Sequence, residues 1–174
     1  MRDSEIDIKL RPLKKEDLEL KVRWINDPDV HNNLHYEIPL ILSKTKKWFQ
    51  NAAADNTRRD FIIETTDGQP IGLIGLLHID IHDRTAEFYI AIGEKTFWSK
   101  GIGTKSLLLL LRLAFEELNL HKIWATARTT NQASISMMKK VGFRQEGFLR
   151  EEKVVKGQRV DIVRMGLLRT EFTC

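Results

Sequence analysis

Phe97-Trp98-Ser99-Lys100-Gly101-Ile102-Gly103-Thr104-Lys105-Ser106 runs directly into the leucine series Leu107 to Leu111. A glycine-spaced turn therefore opens a helix apolar enough to be buried. N–H groups in the first turn of a helix have no intrahelical partner and sit at the positive end of the macrodipole, and glycine lets an anion approach them closely. The stretch reads as an anion cradle, and a phosphorylated ligand is expected. Gly101-x-Gly103 alone fits no nucleotide fingerprint. Ser106 stands where the dinucleotide pattern wants a third glycine or alanine, and Gly103-Thr104-Lys105-Ser106 departs from the Gly-Lys-Ser/Thr order of a phosphate loop. A tight strand-to-helix turn without a ligand is the alternative.

Upstream, Ile6, Ile8 and Leu10 alternate with charged residues as a strand that Pro12 ends, and Leu18, Val22 and Ile25 mark one face of a helix. Asp27-Pro28-Asp29 breaks that helix, and an aperiodic segment follows to Leu42. Ser43 is the expected N-cap of a helix through Trp48 and Phe49 to Ala54. Phe61 to Glu64 and Pro70 to Ile79 form a hairpin about Asp67-Gly68, and Asp83-Arg84 turns into the strand Thr85 to Ile92. The glycine-turn helix is expected to reach Leu118, followed by a strand Ile123 to Ala127 and a helix from Asn131 to Val141 that Gly142 terminates. Phe143 to Val155 and Arg159 to Leu168 close the chain as a long hairpin about Lys156-Gly157-Gln158. Antiparallel hairpins with one helix crossover predict a mixed α/β (α+β) fold: one domain over residues 1–174, one sheet with helices on its faces.

With 174 residues, 42% of them apolar, the chain has enough length for one substantial core. Its single cysteine, Cys174, excludes an intrachain disulfide framework and a cysteine zinc cluster. The N-terminal segment lacks an apolar signal core and the longest apolar run stops at Arg112, so the expectation is a soluble cytoplasmic protein with no membrane partner. A net charge of +4 favours anionic ligands, yet the charges are interspersed and no basic stripe interleaves with aromatics, which argues against nucleic acid.

Several segments occur together in a telling order: the strand Ala86-Glu87-Phe88-Tyr89-Ile90-Ala91-Ile92, the Trp98 to Thr104 turn, Asn131-x-x-Ser134, and Gly142-Phe143. Trp24-Ile25-Asn26-Asp27-Pro28, Lys47-Trp48-Phe49, Leu118 to Ile123 and Gly157 with Asp161 support them. Together they resemble the GNAT superfamily of N-acetyltransferases, and within it the RimJ/RimL type and its relatives acting on nucleotide-linked amino sugars. The resemblance implies a central twisted sheet, mostly antiparallel, whose splayed parallel middle strands admit acetyl-CoA. It places the splay between Thr85 to Ile92 and Ile123 to Ala127. By the same likeness, backbone groups of Ile90, Ala91 and Ile92 would pair with the pantetheine arm. N–H groups of Lys100, Gly101, Ile102, Gly103 and Thr104 would hold the pyrophosphate, with Asn131 also beside the cofactor. Trp98 departs from the glutamine or arginine usual at its position, a departure common in the RimJ/RimL type.

The implied reaction is acetyl transfer to a primary amine. An alkyl ammonium has a pKa near ~10.4 and cannot attack until a proton leaves, so a base is needed. Glu87 is the candidate: the one carboxylate in an apolar and aromatic strand beside the expected groove, at the family's acidic position. The alternative is a solvated outward face formed by Thr85, Glu87, Tyr89 and Ala91. The tetrahedral intermediate needs a donor for its oxyanion, and a bulged backbone N–H within Ile90 to Ile92 would serve. Many members carry a thiolate-protonating tyrosine where this chain has Met138, so Ser134, one turn earlier, is the substitute; helix-start hydrogen bonding is the alternative for Ser134 and Asn131.

In the family the segment between the first two helices roofs the acceptor site, which makes His35, Tyr36 and Glu37 candidate substrate contacts beside His31. Trp24, Trp48 and Phe49 read as core. His78-x-Asp80-x-His82 has metal-ligand residue types, but its adjacent turn points to solvent and no metal is expected. The acceptors in view are a nucleotide-linked amino sugar, a protein N-terminus and a polyamine or other small amine, in that order, because a polycation calls for an acidic pocket. A non-catalytic acyl-CoA sensor is the reading from another class. The resemblance also allows a homodimer through the last hairpin.

Overall fold

The computed structural model describes residues 6–32, 34 and 37–173. Its frame is a seven-stranded sheet: β1 (Ile8–Pro12), β2 (Arg59–Thr65), β3 (Pro70–Asp80), β4 (Thr85–Ile92), β5 (Lys122–Arg128), β6 (Arg144–Val155) and β7 (Gln158–Leu168), ordered β1-β2-β3-β4-β5-β7-β6. Every neighbouring pair is antiparallel except β4 and β5. A parallel pair needs a crossover, and the glycine-turn helix supplies it.

Helices α1 (Leu18–Asn26), α2 (Pro28–His31) and α3 (Leu42–Ala52) belong to one side of the sheet, where Leu18, Trp24, Ile25 and Val30 pack with Ile62, Leu73 and Ala91. Helices α4 (Ile102–Arg112) and α5 (Gln132–Lys140) cover the opposite side with Phe61, Ile74, Leu76, Phe88, Ile123 and Met165. Ile102, Leu107, Leu110 and Leu111 are fully or almost fully buried, each worth roughly 1.5–3 kcal/mol of transfer free energy. Ser106 is buried among them and donates its hydroxyl to the Ile102 carbonyl at 2.8 Å, so its polarity is satisfied.

Some boundaries differ from the sequence expectation. The third helix starts at Leu42 with Ile41 at its N-cap and no side-chain cap, so Ser43 lies inside the first turn. On α1 the inward positions are Leu18, Lys21, Trp24 and Ile25, while Val22 is half-buried. The α4 ladder ends at Arg112 and continues to Glu117 as a wider π turn. The closing strands flank a two-residue turn, Lys156-Gly157, with Gln158 already in β7. Among the described residues no helix is long and apolar enough to cross a membrane.

Candidate active site

The strands β4 and β5 pair only at Thr85–Lys122, Ala86–Ile123 and Glu87–Trp124. Beyond Glu87 they separate, so the β4 backbone from Phe88 to Ile92 has no β5 partner. A cavity of about 560 Å³ occupies the gap. Ile90 and Ile92 from β4, Ala125, Thr126 and Ala127 from β5, Gly103 from α4 and Asn131, Ser134 and Met137 from α5 line it. An unpaired strand edge of this kind can accept an extended, amide-bearing chain as a short added strand.

One end of the gap opens toward the glycine turn. Ser99 (φ 61°) and Gly101 (φ 75°) both take left-handed conformations, and Gly101 is the N-cap of α4. The first α4 amide donating within this turn is that of Lys105, to Gly101; those of Ile102, Gly103 and Thr104 precede the ladder, as an anion site requires. A Cβ on Gly103 would lie 2.9 Å from Met137 Sδ, so a side chain there would push into the cavity wall. Trp98 ties the turn to the strand, its indole N–H donating to the Ile92 carbonyl at 2.9 Å. That contact gives a physical role to the residue that departs from the family pattern. Lys105 turns away, toward the Ile6 carbonyl at 3.1 Å, and Lys100 Nζ lies 5.7 Å from the Phe97 ring centre.

Glu87 occupies the last paired position before the split, is half-buried and lines the cavity. Its carboxylate meets His78 Nδ1 at 2.9 Å. The His78 ring stacks on Trp124 with centroids 6.3 Å apart and planes 6° apart, and the Arg164 guanidinium covers the same indole at 4.0 Å.

Beyond Glu87 lies a group of side chains that sequence reasoning missed. Tyr89 donates its hydroxyl to Asp60, which also takes two bonds from Arg58 at 2.7 and 2.8 Å. Arg58 lies 4.7 Å and Lys21 Nζ 3.8 Å from the Trp48 ring centre. Burial opposes the charged form of Asp60, yet the bonds from Arg58 and Tyr89 outweigh it and hold the carboxyl below its ordinary range. Burial pushes the Lys21 ammonium down to about 8, partly offset by Asp60. One signal was available: a lysine three residues after Leu18, on the apolar stripe of α1. Trp48 packs against the core as expected and also lines this cavity and a neighbouring one formed with Glu37, Lys44 and Leu40.

Other expected residues divide. Ser134 faces the cavity, and Asn131 both lines it and caps α5 by accepting the Ser134 N–H at 3.2 Å. Ala91 packs its side chain on the opposite face, with Leu73 and Ile62. The oxyanion bulge expected within Ile90 to Ile92 is absent from the β3–β4 ladder, which stays in register from Gly72–Ile92 to Leu77–Glu87 and breaks only between Leu77 and Asp80. Met138 is fully buried in the core, and Met137 takes the cavity position. Glu37 is exposed at the neighbouring cavity, while His35 and Tyr36 lie outside the described residues. His78, Asp80 and His82 do not converge: His78 meets Glu87, and Asp80 accepts the backbone N–H groups of His82 and Asp83.

A family model described as an acetyltransferase (GNAT) domain matches residues 7–144. The chain belongs to the GNAT acetyltransferase family. Like other members it is an N-acetyltransferase whose acyl donor is acetyl-CoA, which fits the open β4 edge and the amide-lined turn described above. A spermidine N(1)-acetyltransferase of Escherichia coli is 30% identical over 169 residues, 97% of this chain and 90% of that protein. A putative ribosomal N-acetyltransferase of Bacillus subtilis is 36% identical, over 61% of this chain and 57% of its own. The crystal structure of spermidine N-acetyltransferase from Vibrio cholerae in complex with CoA and spermine superposes with a TM-score of 0.91 at 28% identity, covering 95% of this chain and 97% of that one.

Proposed function

We propose that this GNAT enzyme acetylates the primary amine of a free small molecule, with Glu87 taking the ammonium proton. The observation that carries the reading is the position of Glu87: the one carboxylate among the described cavity-lining residues, at the point where β4 and β5 part. The thioester supplies an activated acetyl carbon. The chain supplies alignment, through the backbone of Ile90, Ala91 and Ile92 along the arm and the N–H groups from Lys100 to Thr104 at the pyrophosphate. Asn131 and Ser134 face the same gap, and the Ser134 hydroxyl serves as donor to the departing sulfur. The amine must lose its proton before it attacks, and Glu87 receives it. From there the His78 ring, whose side chain is 71% exposed, hands the proton to water. Phe88, Ile90 and Met137 keep the reacting end apolar and limit competing hydrolysis.

The likeness to spermidine N-acetyltransferases along nearly the whole chain supports a small-molecule acceptor over a protein N-terminus. It also favours a second reading, in which a polyamine itself is the acceptor. Glu37, on the neighbouring cavity, is the described residue of the roof segment placed to contact an entering substrate. The exposed Phe148 and Val154 on the sheet's β6 edge support pairing of two copies through the last hairpin.

The test is release of CoA thiol from acetyl-CoA by the purified protein against a panel of small amines and N-terminal peptides. Turnover with small amines that disappears in Glu87→Gln while acetyl-CoA still binds supports the reading. Turnover with peptides alone overturns it, and binding without turnover on any amine leaves an acyl-CoA sensor.

A further inference from the structure

The acceptor end of the cavity has a charge opposite to what a polyamine needs. Among the described lining residues the charged side chains are Lys21, Arg58 and Lys153 on one hand and Glu87 on the other. They come from separate elements, α1, the segment before β2, β6 and β4, so their meeting is a product of the fold. Asp60 lies behind Arg58 and binds it through two hydrogen bonds, which neutralises that guanidinium and fixes its plane. Among the described lining residues three cationic side chains stand against the single carboxylate of Glu87.

Two features show that this charge is built in. Lys21 is only 2% exposed, on the inward stripe of α1 beside the Trp48 ring, where a leucine would pack without any desolvation cost. Lys153 is half-buried on a strand whose neighbours are largely exposed, and the β6–β7 register breaks between Leu149 and Lys153. Leu149 pairs with Ile162 and Lys153 with Val160, an offset of two residues that keeps the β6 alternation while moving Lys153 along the strand, and Lys153 lines the cavity. An amine nitrogen has a place at Glu87. A second ammonium on the same molecule would meet Lys21 or Lys153 in a site of low dielectric.

We infer that the acceptor is a primary amine carrying a carboxylate or phosphate on the same small molecule, with Lys21 and Lys153 holding that anion while Glu87 faces the amine. Trp48, with Lys21 and Arg58 both over its ring, lines the cavity and offers apolar surface to such a molecule. The inference rests on the small-molecule acetyltransferase reading and names its substrate class. It separates this chain from the spermidine N-acetyltransferases it resembles, because specificity here comes from like-charge rejection as much as from attraction.

The experiment compares kcat/KM of the wild-type enzyme for spermidine, an ω-amino carboxylate, an aminoalkyl phosphate and a nucleotide-linked amino sugar, then repeats it with Lys153→Glu and Lys21→Met. Acetyl-CoA titration by calorimetry checks that each variant is folded. The expected result is a preference for an anionic amine of roughly tenfold or more over spermidine, and a rise in its KM of about tenfold in both variants. Lys153→Glu should also gain turnover on spermidine. The carboxylate and phosphate arms tell which anion the site takes. Preference of the wild type for spermidine, or an anionic-amine KM unchanged in folded variants, overturns this inference and leaves the acetyltransferase reading standing. Acetyl-CoA binding with no turnover on any amine overturns both.

Discussion

His78 Nδ1 sits 2.9 Å from the Glu87 carboxylate, held there by a β3 backbone that takes φ 50° at His78. The β3–β4 register breaks between Leu77 and Asp80, which frees the imidazole from the strand's alternation and lets it lie flat on Trp124. The Arg164 guanidinium lies over the same indole. Residues of β3, β4, β5 and β7 thus meet at the point where the sheet splits, and a carboxylate inside the cavity acquires a contact that reaches solvent.

Glu87→Gln keeps the shape and removes the base. Turnover should fall by roughly 10²- to 10⁴-fold, the usual contribution of a positioned base. Affinity for acetyl-CoA should remain, which single-turnover kinetics together with calorimetry will establish.

His78→Ala tests whether the ring carries protons or only props the carboxylate. As a proton exit, its loss should lower kcat several-fold with the KM for acetyl-CoA unchanged, and raising the buffer concentration should restore part of the rate. A merely structural role predicts a rate indifferent to buffer.

Gly103→Leu would drive a side chain into the Met137 thioether, 2.9 Å from the Cβ position, and from there into the cavity. Acetyl-CoA affinity should drop about tenfold or more while thermal stability changes little, because the displaced atom ends a flexible side chain. Gly101→Ala, by contrast, meets no neighbour within 4 Å but must hold φ 75°, and should cost on the order of 1 kcal/mol of stability in denaturant titration.

Lys21→Met should stabilise the fold at neutral pH. Burial holds the folded-state Lys21 at about 8, below its ordinary 10.5, with Asp60 opposing that shift and Arg58 adding to it. Between those values the unfolded chain binds more protons, so wild-type stability rises with pH across that window and the whole cost is present below it. The variant's advantage, up to about 3 kcal/mol at pH 7, should shrink as pH climbs from about 8 toward 10.5 in parallel urea melts.

Tyr89→Phe removes the hydroxyl that Asp60 accepts from, in a half-buried site. About 1–2 kcal/mol of stability should be lost, with the Asp60 carboxyl titrating closer to its usual range by carbon-detected NMR.

Local patterns already carry the glycine turn and the strand beside the cavity. The Phe97 to Ser106 turn, the apolar helix behind it and the Thr85–Ile92 strand are contiguous segments, and their period and glycine placement carry their structure. The strand was located to its exact ends, and Asn131 and Gly142 mark both ends of α5. The cluster of side chains beyond Glu87 is largely illegible in the sequence. Lys21, Trp48, Arg58, Asp60, Tyr89 and Lys153 lie on different elements, and no spacing connects them. Trp48 reads as core because an aromatic at a helical position usually is; it does pack against the core, and only the tertiary structure shows that it also lines the cavity.

Sequence by itself determined the glycine turn and the GNAT-like order of short segments, because each of those segments carries its own local pattern. Tertiary structure alone decided where β4 and β5 part, that Met137 and not Met138 faces the gap, and that His78 reaches Glu87. It also decided that Lys21, Arg58 and Lys153 line one cavity with Glu87. Register and bulge placement set which side of a strand each residue takes, and they arise from pairing between distant segments, which no local period encodes.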